Sequence, residues 1–157
     1  MEQAIKDFDK AIELNPKYDA AYLARGSAYS YMGVTAKTHD TAMDYYQKAI
    51  RDYSKAVELN PKKKEAYDGR ASAYKGVGEY QQAIADYDKY IEMSPEAEAY
   101  VSRGFTYAKI GDYKAAINDL DEAINKDPKD GGNYYRRGTI YADIGNYQQA
   151  IRDYSKA

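Results

Sequence analysis

YDGRASAYKGVGEYQQAIADYDKYIEMSP, residues 67–95, decides how this chain is read. Tyr67, Arg70 with Ala71, Tyr74 and Val77 recur at steps of three and four. Gly78 interrupts, and Tyr80, Ala83 with Ile84, Tyr87 and Tyr90 with Ile91 then recur in the same way. Such steps gather side chains on one face of a helix, so the stretch predicts two amphipathic helices joined by a glycine turn. The same residue types return in register at Tyr22, Arg25-Gly26, Tyr29, Ala49, Tyr53 and Pro61; at Tyr100, Arg103-Gly104, Tyr107, Ala116, Leu120 and Pro128; and at Tyr134, Arg137-Gly138, Tyr141, Ala150 and Tyr154. A half-unit with Ala4, Phe8, Ala11 and Pro16 precedes them.

All four prolines fall at unit ends, after Asn15, Asn60, Ser94 and Asp127. Proline cannot continue a helix, and asparagine before it is expected to take a left-handed cap. The proline spacings are 45, 34 and 33 residues, so one unit carries an excess of 11. The organisation is therefore one array over 1–157: a half-unit 1–16, units 17–61 with the insertion near 34–45, 62–95, 96–128 and 129–157. In the inserted segment Met43, Tyr46, Ile50, Tyr53 and Val57 keep the helical rhythm, which predicts a lengthened helix near 41–59 with Asp40 as its N-cap and a loop over 34–39. The other helices are predicted near 1–14, 18–32, 63–76, 80–93, 97–110, 113–126, 131–144 and 147–157. Gly131-Gly132 should fray, each glycine costing about 1 kcal/mol relative to alanine.

Tyrosine at Tyr67, Tyr74 and Tyr87, alanine at Ala83 and a closing Pro95, repeated over about 34 residues, resembles the tetratricopeptide repeat. The resemblance covers all of the chain except the insertion. It implies an all-α, right-handed solenoid of antiparallel helix pairs, here part of a longer array. It also implies that the first helices line a concave groove that receives peptides.

In such a fold each unit buries its apolar stripe against its neighbours, and most of the 20 tyrosines are packing residues by position. The net charge of -2, from 23 basic and 25 acidic residues, gives no electrostatic reason to expect nucleic acid or an anionic membrane. No apolar run reaches membrane-span length, so a soluble chain, cytoplasmic by default, is expected. With no cysteine there is neither a thiolate nucleophile nor a sulfur-held zinc. The single histidine, His39, stands in the insertion without partners for a triad, so no enzyme activity, metal or cofactor is expected.

One polar pattern repeats with the units. Arg25, Arg70, Arg103 and Arg137 stand where the family usually has leucine, and Asp7, Asp52, Asp86, Asp119 and Asp153 each precede the large apolar residue of a second helix. A guanidinium can take a carboxylate at two points while its stem covers apolar surface. The predicted ladder runs between units: Asp7 with Arg25, Asp52 with Arg70, Asp86 with Arg103, Asp119 with Arg137.

Mapped onto this chain, the groove implied by the resemblance comprises Leu23, Ser27, Tyr31, Asp68, Ser72, Lys75, Val101, Phe105, Lys109, Tyr135, Arg136 and Thr139. The apolar members lie at places the repeat does not need for its own packing, which suits them as anchors. The positions of a chaperone-tail clamp hold Leu23, Ser27, Glu98 and Ser102, which argues against that subclass. The function expected is a protein-interaction scaffold that binds a peptide or partner segment in the groove. The alternative is a structural module whose repeats stack with copies or flanking repeats, self-association being favoured by the uncapped ends.

Overall fold

The computed structural model describes residues 1–157. Nine α-helices and no strands make up the chain: α1 (Glu2–Leu14), α2 (Asp19–Val34), α3 (His39–Leu59), α4 (Lys64–Gly76), α5 (Tyr80–Met93), α6 (Ala97–Lys109), α7 (Tyr113–Lys126), α8 (Gly131–Asp143) and α9 (Tyr147–Tyr154). They form two compact units, Met1–Met93 and Ser94–Ala157. In the first, α2 packs on α3 and α4 on α5, with α1 against α2 and α3 against α4; in the second, α6 packs on α7 and α8 on α9.

Glycine makes the turn inside three of the pairs. Gly78, Gly111 and Gly145 have φ of 81°, 81° and 78°, a region an L side chain enters only with strain. Gly33, the matching glycine of the inserted pair, does not turn. It lies within α2, buried against Tyr46, because the longer α3 supplies a ring where the other pairs have solvent.

The prolines stop helices, but not through a left-handed cap. Asn15, Asn60 and Asp127 are extended at φ −140°, −141° and −134°, since the ring of a following proline excludes the helical and favours the extended region. Each side-chain Oδ1 then accepts the N–H two residues on, from Lys17 at 3.1 Å, Lys62 at 3.2 Å and Lys129 at 3.2 Å.

At the insertion the loop is only 35–38, and α3 starts at His39 because Thr38, not Asp40, is the N-cap. Thr38 Oγ1 accepts the Thr41 N–H at 3.3 Å and pairs with the Thr41 hydroxyl at 2.7 Å, which draws His39 and Asp40 into the first turn. His39 is thus an exposed helical residue and not a loop residue. At the other weak point, Asp130 Oδ1 accepts the Gly132 N–H at 2.8 Å, so the two glycines open α8 with a capped end.

Cores form between the paired helices. Ala49, Ile50, Tyr53 and Ala73 make one cluster of the first unit, and Ala71, Ala83 and Tyr87 another; Val101, Ala116, Leu120, Ala123 and Ile140 make that of the second. Alanine lets backbones approach, and in three of the pairs the large residue of the second helix fills the gap left by a glycine, Ala71 standing in that place against Tyr87. A Cβ on Gly26 would lie 3.1 Å from the Tyr53 ring, and one on Gly33 or Gly76 would lie 2.7 Å from the Tyr46 ring. Tyr46 therefore wedges the lengthened start of α3 between α2 and α4.

Candidate partner-binding face

The arginines and aspartates do meet, but inside each helix pair. Arg25 donates from Nε and Nη2 to Asp52 at 2.7 Å each, and Arg70 likewise to Asp86 at 2.7 Å each. Arg103 reaches Asp119 at 2.9 and 2.7 Å, and Arg137 reaches Asp153 at 2.7 and 2.6 Å. The inter-unit pairing expected from the sequence is overturned. Asp52 binds Arg25 rather than Arg70, Asp86 binds Arg70, Asp119 binds Arg103, and Asp7 lies outside the row, accepting from Gln3 at 3.1 Å.

Helix face is the reason. The arginine of a first helix and the aspartate of the second both point into the interface of their own pair, where the carboxylates are buried at 3–6 % exposure. The remaining nitrogen reaches the preceding second helix. Nη1 of Arg25 donates to Asp9 at 2.6 Å, that of Arg70 to Ser54 at 3.1 Å and that of Arg137 to Asp121 at 2.5 Å. The acceptor between pairs is thus the residue two places after the ladder aspartate.

Each guanidinium is also covered by rings. Arg70 lies 5.7 Å from the Tyr67 centroid and 6.0 Å from that of Tyr74; Arg103 stands at 5.7 and 5.9 Å from Tyr100 and Tyr107, and Arg137 at 5.7 and 6.0 Å from Tyr134 and Tyr141. Cation and ring attract, which accounts for arginine at a site of apolar type. The Asp52 bond holds Arg25 above the usual guanidinium range against desolvation, and Asp153 does so for Arg137. Burial raises the phenols of Tyr74 and Tyr141. With the guanidiniums turned onto carboxylates and rings inside the fold, the ladder residues hold the helices together.

The mapped groove residues divide. Val101 is buried at 4 % within the core of the second unit, with Phe105 packed beside it, and Leu23 packs on the core of the first. These three serve the repeat's own packing, contrary to the sequence reading, because α6 and α2 turn that part of their surface toward a neighbouring helix. Ser27 accepts the Tyr53 hydroxyl at 3.2 Å, and Ser72 pairs with that of Tyr87 at 3.3 Å, so the tyrosine hydroxyls reach the first-helix serines. Thr139 returns its hydroxyl to Tyr135 O at 3.0 Å, and Arg136 donates to Asn133 at 3.1 Å. Asp68 and Lys75 are half-buried, and Lys109 is exposed. Tyr31 and Tyr135 stand out, at 58 % and 60 % exposure.

Family models cover nearly the whole chain. One described as TPR repeat matches residues 1–33, and others described as tetratricopeptide repeat match 36–63 and 64–96, 97–130, and 120–152. The chain belongs to the tetratricopeptide repeat family. Solved structures of the same repeat solenoid class superpose on it. A crystal structure of MamA is 25% identical with a TM-score of 0.85, over 97% of this chain and 83% of that one. Residues 41 to the end of MamA from Desulfovibrio magneticus RS-1 are 17% identical at 0.86, over 99% and 82%. YrrB, described as a TPR protein with an unusual peptide-binding site, is 21% identical at 0.74, over 95% and 72%. No curated protein matches the chain significantly.

Tetratricopeptide repeats build scaffolds for protein–protein interaction, and that general role is the one the family supports. No helix is long and apolar enough to cross a membrane. No group of three or more His, Cys, Asp or Glu side chains is placed to hold a metal ion.

Proposed function

We propose that this chain binds a peptide or partner segment on the exposed face of its first helices, with Tyr31 of α2 a contact residue of the first unit and Tyr135 of α8 a contact residue of the second, each within its own unit. The observation that carries the reading is their exposure. A tyrosine with more than half of its surface in water can offer ring surface to a partner, Tyr135 doing so while its ring also meets Tyr154 at 5.4 Å, and aromatic residues on such faces are the usual anchors of protein contacts. Around Tyr31 lie polar groups a partner backbone could use, Ser27 and Thr35; around Tyr135 lie Arg136 and Thr139. YrrB, with its peptide-binding site, offers a precedent for this fold as a peptide receptor. The test is a photo-crosslinking residue at Tyr31 or Tyr135 in source lysate. Crosslinks to a recurring partner are expected at either position, competed away by excess unmodified chain and not by a chain in which that same tyrosine is alanine with helicity intact. Capture unchanged by both substitutions would remove the proposal.

A second reading, self-association, draws on α9, where Tyr147 and Ile151 are exposed at 66 % and 67 % beside Ile144 and Tyr154. A contiguous apolar face of this kind favours association between copies. Light scattering across a concentration series tests it: a constant monomer mass would set the second reading aside.

A further inference from the structure

The inserted helix pair carries a surface that its siblings lack, on the side of α2 away from Tyr31. At 100° per residue, Arg25, Tyr29 and Met32 lie on the opposite side of that helix from Ser27 and Tyr31. Two clefts of about 360 Å³ each open there. One is lined by Arg25, Tyr29, Lys48, Arg51 and Asp52, the other by Met32, Thr35, Lys37, Thr41 and Tyr45. Tyr29 and Tyr45 join them, stacked with centroids 6.4 Å apart and planes 21° apart, and Lys48 Nζ stands 5.8 and 5.5 Å from the two rings.

Charge distinguishes the strip. Arg25 is consumed by Asp52 and Asp9, and Lys48 by Asp44 at 2.7 Å. Arg51 donates only from Nε, to the Gln47 carbonyl of its own helix at 3.4 Å, and both of its Nη groups face solvent unpaired. Lys37, at the far end, has no ion pair. Neither cleft is walled by an unpaired carboxylate, although the chain as a whole is acidic. In the other pairs the places of Tyr45 and Lys48 hold Glu79 and Gln82, Asp112 and Ala115, Asn146 and Gln149. The unit with the insertion is thus the one with an aromatic platform between two free cations.

We propose that this strip, distinct from the first-helix face, is a docking site for an extended acidic peptide with carboxylates on Arg51 and Lys37 and an aromatic or apolar side chain over Tyr29 and Tyr45. The ten steps from Thr41 to Arg51 span about 15 Å of helix, the length of about five residues of extended chain. Guanidinium takes a carboxylate at two points, and ring-on-ring contact supplies the apolar share.

The probe is the full chain titrated with a fluorescein-labelled, C-terminally amidated Glu-Glu-Phe-Glu-Glu peptide, followed by polarisation. Saturable binding is expected, weakened at least tenfold by Arg51→Glu with Lys37→Glu, unchanged by Tyr31→Ala, and absent for the Lys-Lys-Phe-Lys-Lys counterpart. Neither reversed side chain makes a hydrogen bond or ion pair to another helix, so helicity and the melting point should hold. No binding up to millimolar peptide, binding indifferent to the double reversal, loss with Tyr31→Ala, or tighter binding of oligouridylate than of the peptide would each overturn the proposal. Loss with Tyr31→Ala alone would move the ligand to the first-helix face and leave that reading standing.

Discussion

Arg70 holds Asp86, sixteen positions on, at two points of 2.7 Å each, with Tyr67 and Tyr74 over the guanidinium and Asp86 5 % exposed. Because the acid is the more deeply buried partner, losing the arginine is the more damaging change. Arg70→Ala strands a desolvated carboxylate and should cost about 3 to 5 kcal/mol, whereas Arg70→Leu with Asp86→Leu removes both charges and should cost far less. Urea midpoints of the two variants check this, and equal losses would contradict it.

Ser54 occupies the place at which Asp9 and Asp121 accept the third bond of an arginine. Ser54→Asp should therefore raise stability by about 0.5 kcal/mol, since the pair is partly screened, and Ser54→Ala should lower it by about 1 kcal/mol. Opposite shifts of the thermal midpoint are the expected readout.

Tyr46 fills the space that Gly33 and Gly76 leave. Alanine at either position puts a Cβ 2.7 Å from the ring and should cost about 1 to 3 kcal/mol by overpacking. Gly78→Ala meets nothing within 4 Å and should cost about 1 kcal/mol through its positive φ alone. Adding Tyr46→Leu should recover part of the loss at Gly33 and none at Gly78, which separates packing from backbone strain in one mutant cycle.

Burial raises Tyr74 and Tyr141 above the ordinary phenol value of 10.0, and the Asp44 bond raises Lys48 above 10.5. A group whose folded value is raised binds its proton more tightly in the folded state, so its contribution is whole below the unfolded value and is lost as pH climbs past it. Stability should thus be flat in these groups near neutrality and fall above pH 10.0. Urea midpoints at about pH 8 and about pH 11 check the sign, and removing Tyr74 as Tyr74→Phe should flatten the alkaline fall.

How far the sequence carries can be judged residue by residue. Apolar steps of three and four placed all nine helices to within about three residues at each end, because a stripe that must be buried leaves a strong period. The ladder residues were legible as a set and their partners were not. Periodicity gives the face of a helix, but Arg70 has second helices on both sides, and nothing in one helix says which of them holds its carboxylate. The acceptors Asp9, Ser54 and Asp121 were a usable signal, a second polar row two places after the first, that would have assigned the inter-unit contact. Val101 and Phe105 misled for a related reason: a valine or a phenylalanine on a first helix reads alike whether it anchors a ligand or packs on Leu120 and Ile140. The strip between Arg51 and Lys37 was missed because one end lies on α3 and the other in the loop before it.

The proposed role stands on Tyr31 and Tyr135 being contact residues for a partner. The most direct measurement is hydrogen exchange of the full chain, read by mass spectrometry, with and without the partner recovered by crosslinking at those tyrosines. Slowed exchange at the solvent-facing turns of α2 or α8 that hold Tyr31 and Tyr135, abolished by Tyr31→Ala with Tyr135→Ala, is the predicted result. Protection confined to α9 around Tyr147 and Ile151, or no change in α2 and α8, would contradict it.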